Sequence, residues 1–348
     1  MRVTYLYPTN KRVSFNLIAK RHIEQLRKRG VEVHEVDIHA FTSKDLSDVT
    51  LVHPIFYPLI DSPFRCKLLI KHCGKLAGFD VCDTDRITPL AAYVANLFDL
   101  VVVPTSFCAR VYRSSGVMTR VEVLPHGIDS EFLREPREPR DSDVRKVYEL
   151  RGTKILFFLW HSGMRKGADV VAEAFARLVK EFRDVYLIVK IAGLWDPLLQ
   201  FMYSIPNVKI FNKWLSTDDL VDLYDSVDIV VVPSRGGGFE LNALESLARG
   251  KITVVSSWGA FDDYCKLCER VRTKKTLDLF LGDRVAKTIH CGKGVDPDPN
   301  DLYAKLKYAI EHRDLLEVKY RRLAEDVRRY YSWDRVGDRL HSLVKSLA

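Results

Sequence analysis

The chain has 348 residues, more than one ordinary core accommodates, so two domains are expected. With 47% hydrophobic and 29% charged residues it has the balance of an ordinary globular protein, and no apolar run reaches the roughly 18–20 residues that span a bilayer. The net charge of +8 suits an acidic partner, but there is no zinc finger, RNP-like aromatic strand or basic tail, so nucleic acid is set aside.

The N-terminus, "MRVTYLYPTN", lacks the charged-then-apolar pattern of a secretion signal, so a cytoplasmic protein is expected. "VTYLY" reads as a strand. "SFNLIAKRHIEQLRKRG" follows with Phe15, Leu17, Ile18, Ile23 and Leu26 at helical spacing, Ser14 as N-cap and Gly30 as stop. This first helix carries Lys20, Arg21, Arg27, Lys28 and Arg29, a basic set suited to anionic headgroups at the inner membrane face, although a solvated face explains it more simply. "VEVHEVDI", "TLVHPIFY" and "KLLIKHC" read as strands, "PLAAYVANLF" as a helix, and "LVVVP" as a buried strand. "TSFCARVYRSSG" is a helix capped by Thr105 or Ser106, and "RVEVLP" is a strand. Strand and helix in alternation predict a parallel sheet covered on both faces.

"REPREPRDSD", residues 134–143, is charged, interrupted by proline and free of apolar period, and reads as the linker between domains. Alternation then restarts: strands at "KILFFLW", "VYLIVKI", "VKIF", "DIVVVPS" and "KITVVSS", with helices at "KGADVVAEAFARLVKEF" and "STDDLVDLYDSV" between them. The expected architecture is α/β, with two Rossmann-like doubly wound domains facing a central cleft: residues 1–140, residues 141–331, and a final helix, 332–348, crossing back to the first domain. Ligands bind outside the carboxyl ends of such strands, so the cleft suits a phosphorylated ligand.

In "SRGGGFELNALESLARG", Ser234 to Gly250, three glycines lead into a helix. Glycine lets backbone approach a ligand closely, and a helix start offers free N–H groups and partial positive charge. At roughly 100° per residue, Leu241, Leu244, Leu247 and Ala248 share a face, and Glu245 sits at its edge, half buried. A carboxylate there needs a partner, which the vicinal hydroxyls of a ribose would supply; an ordinary boundary glutamate fits the pattern equally. Earlier in the chain, Arg165 and Lys166 stand at a helix entry in "LWHSGMRKGADV", where two cations suit a diphosphate clamp and a solvated basic loop is the alternative reading. No Walker A motif occurs, nor a G-x-G-x-x-G after the first strand, which sets a nicotinamide dinucleotide aside.

In "FDVCDTDRI", Asp83 and Asp85 face the expected cleft, where a carboxylate could orient an acceptor hydroxyl or serve as general base; capping of the next helix is an equal reading of Asp85. His53, His72 and His126 also end strand-like runs, and each alone reads as structural. The seven cysteines form no secreted framework. Cys265 and Cys268 make a lone C-x-x-C without the second pair of a zinc ribbon, so small partly buried side chains are the expected reading. The scarcity of glutamine (Gln25 and Gln200) fits a thermophile, in which an intracellular disulfide stays open.

Together these segments resemble one family, the retaining, nucleotide-sugar-dependent glycosyltransferases of GT-B fold in the large GT4 (glycosyl transferase group 1) family. The resemblance rests on "DLVVVPTSFCARVYRSSG", "VEVLPHGIDSEF", "MRKGADVVAEAFARL", "LSTDDLVDLYDSVDIVVVPS", "FELNALESLARGK" and "YYSWDRVGDRL", in order from about Phe79 onward. It implies a metal-independent transfer with retention from a nucleotide-diphosphate sugar to a glycan, lipid or small-molecule acceptor, with no cofactor. It further implies that Arg165 and Lys166 take the diphosphate, and Ser162, Gly237, Gly238, Phe239, Glu240, Leu241 and Glu245 the donor. Asp83 and Asp85, with "DTDR" similar to the "ETDR" of some relatives, would stand on the acceptor side, alongside His72 and His126. The chain departs from the family at the first of its two donor glutamates, which would fall at position 237 and is Gly237. Asn242 stands for the usual proline, and His161 for an arginine of the diphosphate loop. Two other readings stay open: a non-catalytic sugar-nucleotide-binding protein, and a sugar-nucleotide epimerase or phosphorylase on the same scaffold.

Overall fold

A computed structural model describes residues 1–10, 13–159, 163–191, 197–279 and 284–347. The first half runs β1 (Arg2–Tyr7), α1 (Ser14–Lys28), β2 (Glu32–Asp37), β3 (Val49–Val52), α2 (Phe56–Leu59), α3 (Pro63–His72), β4 (Lys75–Phe79), α4 (Pro89–Ala95), β5 (Leu100–Val103), α5 (Ser106–Ser114) and β6 (Arg120–Val123). The strands form a parallel sheet in the order β2-β1-β3-β4-β5-β6. Central strands such as "LVVV" are buried throughout, as β-branched residues in a doubly covered sheet should be, while in the edge strand β2 only Val33 is buried.

Three local expectations change. "KLLIKHC" is the end of α3, not a strand. Its short apolar run fits either period, and Pro63 at the first helical position, with φ already fixed, tips it to helix. The strand falls instead at "KLAGF". "TLVHPIFY" is a strand only to Val52; a cis His53–Pro54 bond follows and α2 begins. Ser14 is the first residue of α1 rather than its cap, which is Val13 with no side-chain hydrogen bond. Gly30 ends that helix at φ +76°, the left-handed conformation glycine tolerates.

The second half runs α6 (Ser142–Tyr148), β7 (Thr153–Phe158), α7 (Gly163–Lys166), α8 (Ala168–Glu181), β8 (Val185–Ile191), α9 (Pro197–Tyr203), β9 (Val208–Asn212), α10 (Thr217–Asp225), β10 (Ile229–Val232), α11 (Leu241–Ala248), β11 (Ile252–Ser256) and β12 (Glu269–Val271). Its parallel sheet has the order β12-β11-β10-β7-β8-β9. An antiparallel hairpin of β13 (Thr273–Leu277) and β14 (Gly294–Pro297) brackets α12 (Arg284–Ile289). The chain closes with α13 (Pro299–Glu311), α14 (Arg313–Tyr330) and α15 (Trp333–Lys345).

Between the sheets, residues 134–143 are pinned rather than loose. Arg134 and Arg137 both meet the buried carboxylate of Asp222, and Arg249 donates to the Phe132 and Arg134 carbonyls at 2.8 and 2.6 Å. The amphipathic α15 lies on the first sheet, where Trp333, Val336, Leu340 and Val344 share a core with Ile18, Ile23 and Leu26 of α1. In both sheets the strand order reverses beside the first strand, at β1/β3 and at β7/β10. These switch points open crevices at the carboxyl ends of the strands.

Candidate active site

The short α7 that follows β7 and the loop after β10 meet at the second switch point. Ser162, expected on the donor side, and His161 lie outside the described residues. Arg165 and Lys166 sit on the short α7. Gly167 then turns at φ +75°, where a Cβ would lie 2.4 Å from the Pro233 carbonyl, so glycine is required for this corner to rest on the end of β10. The buried Arg165 donates from Nη1 to the Gly236 carbonyl at 3.0 Å, and its own carbonyl accepts the Arg235 N–H at 2.8 Å. Lys166 Nζ donates to both oxygens of Glu240, at 2.7 and 2.6 Å. Burial pushes the Lys166 ammonium down, and the opposing pull of Glu240 does not fully restore it. Ser234 Oγ also donates to Glu240 Oε1, at 2.9 Å.

The glycines of the Ser234–Glu240 loop permit close approach, and at Gly236 and Gly238 the atoms that approach include backbone and side chains of the first half. A Cβ on Gly236 would lie 2.2 Å from the Asp83 carbonyl oxygen, and one on Gly238 would lie 2.9 Å from Cys108 Sγ, the Cys82 oxygen and Val81 Cβ. The Gly238 N–H donates to Asp83 Oδ1 at 3.2 Å, and Thr105 Oγ1 donates to the Gly238 carbonyl at 3.1 Å. Gly237 differs: its Cβ would fall 2.7 Å from Glu240 Oε1 and 3.6 Å from Arg165 Nη1. The Glu240 carboxylate therefore fills the space in front of position 237. Phe239 lies between the rings of His126 (4.7 Å between centroids) and Tyr264 (4.6 Å, stacked), and Leu241 packs on the core of the first sheet. Tyr264 Oη accepts the Glu240 N–H at 3.0 Å, and Trp258 Nε1 donates to the Gly237 carbonyl at 2.9 Å.

One turn into α11, the half-buried Glu245 accepts from Tyr224 Oη at 2.7 Å. Burial pushes its carboxyl up to about 7; the Tyr224 hydroxyl opposes this and the charge of Asp129 adds to it. One partner for Glu245 is thus a protein hydroxyl, and its other oxygen has no hydrogen-bond partner among the described residues.

On the first sheet, Asp83 lies 3.8 Å from Arg165, joining the two halves of the cleft. Burial pushes its carboxyl up, but Arg165, His290, Lys166 and the Gly238 N–H together hold it below the usual range. Asp85 points elsewhere: it accepts the Lys293 N–H at 2.8 Å and pairs with Lys275. It does not cap α4, whose N-terminus is capped by Thr88 accepting the Ala91 N–H. The segment Asp85–Thr88 is paired to residues 289–293 by backbone hydrogen bonds, including Cys291 N–H to the Arg86 carbonyl and Thr88 N–H to the Ile289 carbonyl. His72 ends α3, exposed to solvent, rather than a strand beside the cleft. The reason is again the helical period of α3. His126 does reach the cleft, against Phe239. His53 and His22 are buried beside it, their Nδ1 atoms 3.4 and 2.8 Å from Tyr5 Oη. Burial pushes His22 and His126 down to about 3.

Among the described residues no group of three His, Cys, Asp or Glu side chains is placed to hold a metal ion. Cys265 and Cys268 are joined as a disulfide, which corrects the expectation of two independent small side chains. They close the turn that carries Tyr264. Sequence reasoning missed Asp80, which accepts the Ile55 and Phe56 N–H groups at the start of α2 at 2.8 and 2.9 Å and is pushed up to about 7 by burial. It also missed Tyr224, Ser234 and Tyr264, whose partners lie 6 to 24 positions away. The aspartate next to the apolar "LAGF" run is the one signal that could have pointed to Asp80.

Residues 153–271 match the family described as Glycosyl transferases group 1, a span that begins at the first residue of β7 and ends at the last of β12. The chain is 29% identical over 335 residues to protein 356 of Sulfolobus islandicus rod-shaped virus 1, covering 89% of this chain and 91% of that protein. It is 26% identical over 292 residues to "Putative glycosyltransferase 45" of Sulfolobus islandicus filamentous virus, covering 82% and 77%. A solved structure described as trehalose-6-phosphate from E. coli bound with UDP-2-fluoro glucose superimposes over 100% of both chains, with a TM-score of 0.73 at 11% identity. The chain has the GT-B fold, and the whole of its second sheet lies within the segment that matches the glycosyl transferases group 1 family.

Proposed function

We propose that the protein is a retaining glycosyltransferase that moves a sugar from a nucleotide-diphosphate sugar to a hydroxyl of a glycan, lipid or small-molecule acceptor. The observation that carries this reading is the meeting of Arg165, Lys166 and the Ser234–Glu240 loop at the β7/β10 switch point, within the span that matches the glycosyltransferase family. A neighbouring structure's bound UDP-2-fluoro glucose supports a nucleotide-sugar donor.

The chemical task is to stabilise a leaving diphosphate and an oxocarbenium-like sugar. Arg165, Lys166 and the N–H groups at the start of α11 take the diphosphate charge, which is the work a metal would otherwise do. The free oxygen of Glu245 holds the donor ribose. Lys166 is already bound to Glu240, so the diphosphate exchanges for that carboxylate, and Glu240 turns to the sugar hydroxyls. Glu240 thereby supplies, from three residues later, the carboxylate that the family resemblance expects at position 237. Asp83, ionised and next to Arg165, stands on the acceptor side, and His126 and Phe239 line the passage between the sheets. Gly237, Gly238 and Leu241 shape the donor side.

The test is incubation of the purified protein with a panel of nucleotide sugars and simple acceptors, with and without a chelator, and assignment of the product anomer by NMR. Transfer with retention, unchanged by chelator, is expected. Binding of the donor without turnover would make the protein a sugar-nucleotide-binding module instead, and inversion or a phosphate requirement would reject the mechanism.

A further inference from the structure

The first-helix cations are mostly engaged. Arg21 pairs with Asp129 and Glu24, Arg27 with Glu35, Lys28 with Glu24, and Arg29 with Asp338. A different helix has the opposite character. On α3, Phe64 is 70% and Ile70 53% exposed, large apolar side chains held in water. Lys67 and Lys71 are exposed beside them and face no carboxylate among the described residues. At about 100° per residue, Phe64, Lys67, Ile70 and Lys71 fall within an arc of about 120°, and the buried Leu69 lies on the far side. The segment from Pro63 to His72 contains no acidic residue. Scattered single apolar residues on a surface need no explanation, but two large ones interleaved with two cations on one helical face form a surface of definite chemistry.

We propose that α3 docks the protein on an anionic lipid bilayer, with Phe64 and Ile70 entering the headgroup–acyl boundary and Lys67 and Lys71 meeting lipid phosphates. A second copy of the chain would meet this face with the same two cations and repel it, whereas an anionic bilayer matches both its charge and its apolar depth. No helix among the described residues is long and apolar enough to cross a membrane, so the contact is peripheral. α2 and α3 leave the first sheet at the carboxyl end of β3, the end that also carries His53 and, on β4, Asp80. Phe64, in the first turn of α3, lies toward that end, and Ile70 and Lys71 lie toward the other end of the sheet, where β4 begins.

The experiment is co-sedimentation of the full chain with vesicles of phosphatidylcholine alone and of phosphatidylcholine with phosphatidylglycerol, at low and high salt. Pelleting with the anionic vesicles, reduced by salt, is expected. K67Q/K71Q should lower the partition coefficient about thirty-fold. F64S/I70S should abolish binding while leaving the thermal midpoint unchanged, because neither side chain is in the core. Absence of pelleting with anionic vesicles, or variants that pellet like the parent, overturns the proposal. A dimer in light scattering that F64S/I70S dissociates would give this face to a second copy and overturn it equally. The readout is vesicle binding alone, so it stands or fails independently of the sugar-transfer reading.

Discussion

Lys166 and Glu240 form a bidentate ion pair at the switch point of the second sheet, with both side chains largely withdrawn from water (14% and 6% exposed). A pair of this kind neutralises the cation that the proposed donor's diphosphate requires. Glu240→Gln should therefore bind the nucleoside diphosphate about tenfold more tightly by calorimetry, while sugar transfer falls. Unchanged affinity would show that Lys166 does not exchange partners.

Removing the cation has the opposite consequence for stability. Lys166→Ala leaves Glu240 buried and uncompensated, so urea unfolding should show a loss of about 3 kcal/mol. The double variant Lys166→Ala/Glu240→Gln should recover most of it. A double variant as unstable as the single would assign the cost to packing.

Gly236 and Gly238 hold the two sheets' loops in contact. Gly238→Ala places a methyl 2.9 Å from three atoms of the first half, an overpacking of about 2 kcal/mol directed against the closed arrangement. Small-angle scattering should report a larger radius of gyration, and donor turnover should fall about thirty-fold. A closed, fully active Gly238→Ala protein would remove the loop contact from the mechanism.

The half-buried Glu245 makes stability depend on pH in a defined direction. Its carboxyl is raised from 4.5 to about 7 in the folded protein, so the folded state holds the proton more firmly than the unfolded one. Stability from this group is complete below pH 4.5 and is lost as pH rises through 7. Glu245→Gln should flatten the unfolding free energy across that window. Tyr224→Phe, which removes the stabilising hydroxyl, should steepen it by about 1 kcal/mol.

The buried histidines act on the acid side. His22 and His126 are lowered from 6.5 to about 3, so the unfolded chain binds protons that the folded one refuses. Stability is complete above pH 6.5 and is lost as pH falls toward 3. His126→Phe keeps the ring against Phe239 and removes the titration, so urea midpoints should fall less between neutral and acidic buffer than in the parent. An identical acid profile would place the titration elsewhere.

Much of the scaffold was legible in the sequence because it rests on local periodicity and residue shape. Runs such as "LVVV" and "IVVV" are rich in β-branched residues and are buried strands, and "TSFCARVYRSS" carries its own cap in Thr105. Glu245 was legible as a half-buried carboxylate because an eight-residue helix fixes its face. α3 was misread because a short apolar run fits both periods, and His72 went with it.

By itself the sequence determined two doubly wound sheets, the cationic pair Arg165 and Lys166 at a helix entry, and a glycine loop before α11. These follow from backbone preference and from spacing within one element. Only the tertiary structure decided who meets whom: that Lys166 is held by Glu240, that Asp83 faces Arg165, and that Gly236 and Gly238 have atoms of the first half packed where a Cβ would stand. Those contacts join segments 74 to more than 150 positions apart, and no local periodicity encodes a distance of that kind.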